Sequence, residues 1–129
     1  MENIKRAVVT GATGVVGTAL IKELASRSIE TLVLTRKDGR TEKIPTYPNV
    51  KIEFCSLEEL SAFKIPDEKY DVFFHLGWSG TYGDDRNNLA KQELNIKYTL
   101  DAVILADKLG CKVFVGAGSQ AENGRLENG

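Results

Sequence analysis

Read for its apolar positions, the chain alternates between two periods. Ala7-Val8-Val9-Thr10 is a short, almost unbroken apolar run, the pattern of a strand buried on both faces. Val16, Leu20 and Leu24 then recur at i, i+4 and i+8, with Ala19 beside them, and predict a helix. Thr31-Leu32-Val33-Leu34-Thr35 predicts a second buried strand. Lys37 to Asn49 is polar and holds Gly39, Pro45 and Pro48, so a loop is expected there. Val50-Lys51-Ile52-Glu53-Phe54 alternates, as a strand near a sheet edge does. Ser56 stands in capping-box spacing to Glu59 and predicts a short helix from Leu57 to about Phe63.

The second half repeats the scheme. Asp71-Val72-Phe73-Phe74-His75-Leu76 predicts a further buried strand. Gly77, Gly80 and Gly83 mark residues 77–88 as a loop. A long helix is expected from about Leu89 to Leu109, with Ile96, Leu100, Val103 and Leu109 as its apolar face and Gly110 as its stop. Lys112-Val113-Phe114-Val115-Gly116 predicts the last strand, and the tail after Ser119 is polar with no clear element. Strands alternating with helices predict an α/β fold: a Rossmann-type, doubly wound parallel sheet in the order 3-2-1-4-5, with residues 1–129 forming one domain. In that order Cys55 and Cys111 fall at opposite edges and opposite ends of the sheet, too far apart for a disulfide.

Composition narrows the partners. With a net charge of −1 the chain has no basic excess to drive binding to a phosphate backbone, so no nucleic-acid partner is expected. No apolar run is long enough to span a bilayer, so no membrane partner is expected. Met1 to Arg6 leads straight into the first strand and reads as no signal peptide. The two cysteines have no metal-ligand spacing and suit a reducing, cytoplasmic setting. Asp84, Asp85 and Glu93 form no metal or dyad spacing, so no metal is expected.

The strongest chemical signal is Thr10-Gly11-Ala12-Thr13-Gly14-Val15-Val16-Gly17, which follows the first strand and opens the first helix. A pyrophosphate needs unpaired backbone N–H groups and the positive end of a helix dipole, and a helix N-terminus offers both. Gly11 permits a tight turn, Gly14 lets phosphate approach the backbone, and Gly17 lets helix and strand pack closely.

The GxxGxxG spacing resembles that of the extended short-chain dehydrogenase/reductases, specifically the NAD(P)-dependent nucleotide-sugar epimerase/dehydratase group. Three further stretches resemble that family in order. They are Asp71 to Trp78 (its D-x-V-x-H-L-A-A strand), Asn95 to Thr99 (its N-x-x-G-T helix) and Lys112 to Ser119 (the strand that ends in its serine pair). Together they span the first half of a typical member.

The resemblance implies a dinucleotide held by Gly11, Thr13, Gly14, Val15, Val16 and Gly17, with Leu76, Gly77 and Trp78 lining the middle of the cleft. Ser56 and Leu57 stand where the family has an Asp and a hydrophobic residue against the adenine. Arg36 and Lys37 follow the second strand, where an acidic residue would select NAD; a guanidinium suits a 2′-phosphate, so NADP is favoured, with NAD as the alternative. Trp78 either offers an indole face to a sugar or is a core aromatic.

The family's hydride transfer uses a Tyr whose pKa is lowered by a Lys four residues on, and a Ser that orients the substrate. Ser119 stands at the position of that Ser, and Gly118 replaces the upstream one. The helical Tyr-x-x-x-Lys pair is not reached by Gly129. Tyr47 and Lys51 match the spacing but fall on a loop and strand, where i and i+4 share no face. His75, the sole histidine, reads as a satisfied core residue. The expectation is the dinucleotide-binding part of a longer sugar-nucleotide epimerase, dehydratase or reductase, inactive alone. The alternative is a non-catalytic NAD(P)-binding sensor. Without the family's next helix, Ile96, Leu100 and Val103 should be exposed, and the 89–109 helix should drive homo-oligomerisation.

Overall fold

The apolar run that opens the chain becomes the middle strand of a parallel sheet. The computed structural model describes residues 4–12, 14–36, 42, 44–76 and 89–116. Its strands are β1 (Arg6–Thr10), β2 (Glu30–Thr35), β3 (Val50–Phe54), β4 (Val72–His75) and β5 (Val113–Gly116). Their order is β3-β2-β1-β4-β5, with every neighbouring pair parallel, as the alternation of strands and helices predicts. The chain winds outward from β1 to β3, returns to the other side, and leaves a switch point between β1 and β4. The loops expected at residues 77–88 and the tail after Ser119 lie outside the described residues.

Side chains alternate across the sheet and build a core on each face. Val8, Leu32, Leu34 and Phe73 pack with Ala102, Leu105 and Ala106 of helix α2 (Leu89–Lys108), with Leu109 just past its end, and with Leu60. Ala7, Val9, Val33 and Val72 pack with Ile21 and Leu24 of helix α1 (Val15–Ser26). The alternating β3 is indeed an edge strand, and Ile52 and Phe54 stay exposed on it. At the other end of the sheet, the Asp71 carboxylate accepts the N–H groups of Lys5 and Arg6 at 2.8 and 2.9 Å. Those bonds pin the starts of β1 and β4 together and hold the Asp71 carboxyl below its ordinary range.

Helix α1 presents a different face to the sheet than the apolar pattern predicts. In α1 the buried residues are Gly17, Ile21 and Leu24; Val16 is 68% exposed and Leu20 is only partly buried. The close approach of Gly17 to the first turn sets the rotation of the helix and carries Val16 outward. In α2 the buried face is Asn95, Tyr98, Ala102, Leu105, Ala106 and Leu109. Ile96 and Leu100 are each 58% exposed and Val103 is 43% exposed. Ala102 and Ala106 are the contact residues because their size lets the helix lie close to the sheet, and the larger residues form a second, uncovered apolar stripe. The exposure of Ile96, Leu100 and Val103 is as expected.

The element after β3 is a 3-10 helix, Leu57–Ala62, one residue shorter than expected. Six residues are too few to favour an α-helix. Its predicted capping box is present: the Ser56 N–H donates to Glu59 Oε1 at 2.9 Å. Gly110 ends α2 at φ +89°, with its N–H on the Asp107 carbonyl and the Cys111 N–H on the Ala106 carbonyl. This double bond pattern is a Schellman motif. Cys55 is buried and Cys111 partly buried, and both are free thiols. Burial pushes each up to about 11, so neither carries appreciable thiolate at neutral pH.

Candidate functional site

A parallel sheet delivers the C-terminal ends of all its strands to one edge, and the predicted site residues gather there. Thr10 and Gly11 follow from β1, Arg36 from β2, Ser56 and Leu57 from β3, and Leu76 from β4. The Leu76 N–H donates to the Thr10 carbonyl at 3.1 Å, and the Cys55 N–H to the Thr35 carbonyl at 2.8 Å. These bonds hold Leu76 against the phosphate-type turn and Ser56 near the end of β2. Arg36 is exposed at that end. Leu57 packs in part against the α2-side core. The Ser56 hydroxyl is already engaged in its capping box. Thr13, Lys37, Gly77, Trp78 and Ser119 lie outside the described residues.

The turn itself separates the three glycines by purpose. Gly11 has φ +75°, a conformation that side chains resist. A Cβ on Gly17 would stand 2.3 Å from the Gly11 carbonyl oxygen and 2.7 Å from the Ala12 Cα, so only glycine fits. Gly14 differs. Its φ of −79° and ψ of 174° suit any residue, and a Cβ there would meet nothing closer than 3.9 Å. The fold therefore requires glycine at 11 and 17, and leaves open space at 14 among the described residues.

Gly14 is also the N-cap of α1 and offers no side-chain cap. The Thr18 N–H donates to the Gly14 carbonyl at 2.9 Å, so the N–H groups of Val15, Val16 and Gly17 stand ahead of that first turn. No acidic residue occupies the first turn of α1. The positive end of the helix thus meets open space beside Gly14, where an anion is stabilised. Val15 is 86% exposed, an apolar side chain flanking that space.

Below the turn, Thr10 and His75 close the seam between β1 and β4. Their side chains bond at 2.9 Å, Thr10 Oγ1 to His75 Nδ1, and both residues are buried. Burial alone lowers His75 to about 4, so the ring is neutral at neutral pH. His75 is a core histidine, as expected, with its Nε2 unpartnered among the described residues. The Thr10 contact was not anticipated; its signal was that both residues end strands adjacent in the predicted order. Tyr47 is exposed on the loop before β3, and Lys51 pairs with Glu53 on β3 at 3.1 Å, so the off-helix Tyr-Lys match forms no pair. Among the described residues no three His, Cys, Asp or Glu side chains stand together as metal ligands. No helix among them is long and apolar enough to cross a membrane.

The model of the NAD dependent epimerase/dehydratase family matches residues 7–128. Among solved structures, the chain resembles the epimerase Mth375 from Methanothermobacter thermautotrophicus at 25% identity and a TM-score of 0.72, covering 88% of this chain and 35% of that one. It resembles a UDP-galactose 4-epimerase at 23% identity and a TM-score of 0.74, over 95% of this chain and 40% of that one. It also resembles the Bordetella bronchiseptica enzyme WbmH, solved with NAD+, at 21% identity and a TM-score of 0.70, over 87% and 38%. The chain thus covers 35% to 40% of the length of these three. No curated protein matches it.

Proposed function

Because the chain belongs to the NAD-dependent epimerase/dehydratase family, we propose that residues 1–129 are the dinucleotide-binding part of an enzyme that epimerises, dehydrates or reduces a sugar nucleotide. The observation that carries this reading is the open, uncapped helix end at Gly14. Gly11 and Gly17 have reasons inside the fold; glycine at 14 has its reason in a guest that approaches the backbone. A pyrophosphate fits that guest in charge and in its need for N–H donors.

In this reading the N–H groups of Val15, Val16 and Gly17 hold the pyrophosphate where it passes Gly11 and Gly14, with Thr13 beside them. Leu76, Gly77 and Trp78 line the middle of the cleft, and Ser56 and Leu57 stand against the adenine. Arg36 and Lys37 meet the 2′-phosphate, so NADP is preferred to NAD. Ser119 orients the substrate hydroxyl or carbonyl. A bound nicotinamide supplies the carbon that takes up and returns hydride. Titration of the protein with NADPH and NADH, followed by nicotinamide fluorescence, tests the reading. Saturation is expected with both, tighter for NADPH. No change with either at millimolar ligand would refute it.

The uncovered stripe of α2 supports a homo-oligomer formed through the 89–109 helix. Leu89 is 79% exposed and lies in line with Ile96, Leu100 and Val103. A molar mass that rises with concentration in sedimentation equilibrium is expected, and Leu100→Glu should return it to the monomer value. A wild-type monomer with melting independent of concentration would contradict this interface.

A further inference from the structure

The sheet lays out one half of a dinucleotide in strand order. The open helix end follows β1, Arg36 follows β2 and Ser56 follows β3, and these strands are neighbours in that order. Neighbouring strands lie about 4.8 Å apart, a step that one sugar or one base spans. A pyrophosphate at β1 therefore sets the ribose toward β2 and the base toward β3. Thr35 is level with Phe54 across β2 and β3, and the Cys55 N–H donates to the Thr35 carbonyl at 2.8 Å. Ser56 thus leaves β3 where Arg36 leaves β2.

A serine alone makes a poor reader of a base. Its hydroxyl both donates and accepts, so it serves an amino edge and a keto edge alike. The structure adds a group that only accepts. Glu59 folds back in the capping box, and the Ser56 N–H donates to its Oε1 at 2.9 Å. That N–H, and then the Ser56 side chain, hold the Glu59 carboxyl below its ordinary range, so it is charged at neutral pH. Glu59 is exposed. A carboxylate offers about four acceptor sites, so the capping bonds leave it able to take another donor. The fold thus returns to position 56 the carboxylate that its own side chain lacks.

We propose that Glu59 selects the base of the dinucleotide, its carboxylate accepting the exocyclic amino group of an adenine at the end of β3. Adenine carries that amino donor, whereas guanine, like hypoxanthine, carries a keto oxygen in its place. A carboxylate attracts the first and repels the second. The inference rests on the dinucleotide reading and goes beyond it by naming the residue that reads the base.

Nicotinamide fluorescence titrations of the full chain, with NADPH and with its reduced hypoxanthine counterpart, test this. The wild type should bind NADPH about tenfold tighter, the effect of one hydrogen bond to a charged group. Glu59→Gln keeps the capping box, because glutamine also accepts the Ser56 N–H, so its Tm should match the wild type. Its preference for NADPH should fall to about threefold or less, since the amide also donates and so tolerates a keto oxygen. Ser56→Asp in that background keeps the helix cap and restores a carboxylate, and the preference should return. A wild-type ratio under about threefold, or a tenfold ratio that survives in Glu59→Gln, would overturn the proposal. Binding of neither dinucleotide would instead refute the dinucleotide reading itself, and the role of Glu59 with it.

Discussion

Gly14→Ala is expected to leave the fold intact and weaken dinucleotide binding about tenfold to a hundredfold, while Gly17→Ala is expected to damage the fold itself. The two glycines sit three residues apart in one motif, and the structure puts distances on the separate roles that the sequence gives them. At position 14 the backbone is extended and a methyl group would meet nothing closer than 3.9 Å. Alanine is a poorer N-cap than glycine by roughly 1 kcal/mol, but it also restricts the unfolded chain, which returns about 0.4–1 kcal/mol. The net change in stability should stay under about 1 kcal/mol. The same methyl would stand where a phosphate approaches the helix end. Losing or stretching one hydrogen bond to a charged group costs about 1.5–3 kcal/mol, which is the tenfold to hundredfold loss.

At position 17 a methyl would stand 2.3, 2.7 and 2.9 Å from backbone atoms of Gly11 and Ala12. Backbone cannot step aside as a flexible side chain can, so α1 must move off the turn. Overpacking of this kind costs about 1–3 kcal/mol or more, a large share of the roughly 5–15 kcal/mol that holds a domain together. Urea unfolding and NADPH titration on the two variants check the pair. Equal stability losses for both would sink the assignment of open space at Gly14. Unchanged affinity in a folded Gly14→Ala protein would sink the phosphate reading.

That contrast also marks what was legible in the sequence. The sheet order was, because unbroken apolar runs and the alternating β3 each dictate how many faces a strand buries. The capping box at Ser56 and the stop at Gly110 were legible because each rests on local chemistry. The rotation of the helices was not. In α2 the stripe of Ile96, Leu100 and Val103 is exposed as expected, but the pattern did not single out the Tyr98, Ala102, Leu105 and Ala106 face that packs on the sheet. What decides the buried stripe is how closely the helix must lie to the sheet, a tertiary demand met by Ala102 and Ala106. In α1 the same demand, expressed through Gly17, turned Val16 outward. For the site, the glycine motif located the turn and gave each glycine its role; the geometry adds that Gly11 and Gly17 are required by the backbone itself. The seam of Thr10 and His75 was half legible, since burial of His75 follows from its strand while the identity of its partner requires the register of β1 on β4.

His75 should make the folded state sensitive to acid above pH 4.5, a range where no other resolved acid-side shift acts. Its ring is 1% exposed and titrates at about 4, against an ordinary value of 6.5. The unfolded chain therefore binds a proton at a pH where the native one does not, and stability falls as pH falls. The contribution is fully present above pH 6.5, declines between 6.5 and 4, and is gone below. A shift of this size corresponds to about 3 kcal/mol, of which about 2 kcal/mol should be lost between neutral pH and 4.5. Asp71 and Glu59 are also held below their ordinary values of 3.8 and 4.5, by backbone N–H donors. Their losses come as pH drops through and beneath those values, so that of Glu59 overlaps only the last half unit of the histidine window, below pH 4.5. Urea unfolding at steps from pH 7 to 4.5 should therefore give a falling stability in wild type and a nearly flat one in His75→Asn. The asparagine places an amide near the position of Nδ1 and can keep a bond to Thr10, yet has nothing to titrate. A wild-type curve flat to pH 5 would mean that the ring is not held neutral by burial, and the closed seam between β1 and β4 would have to be redrawn.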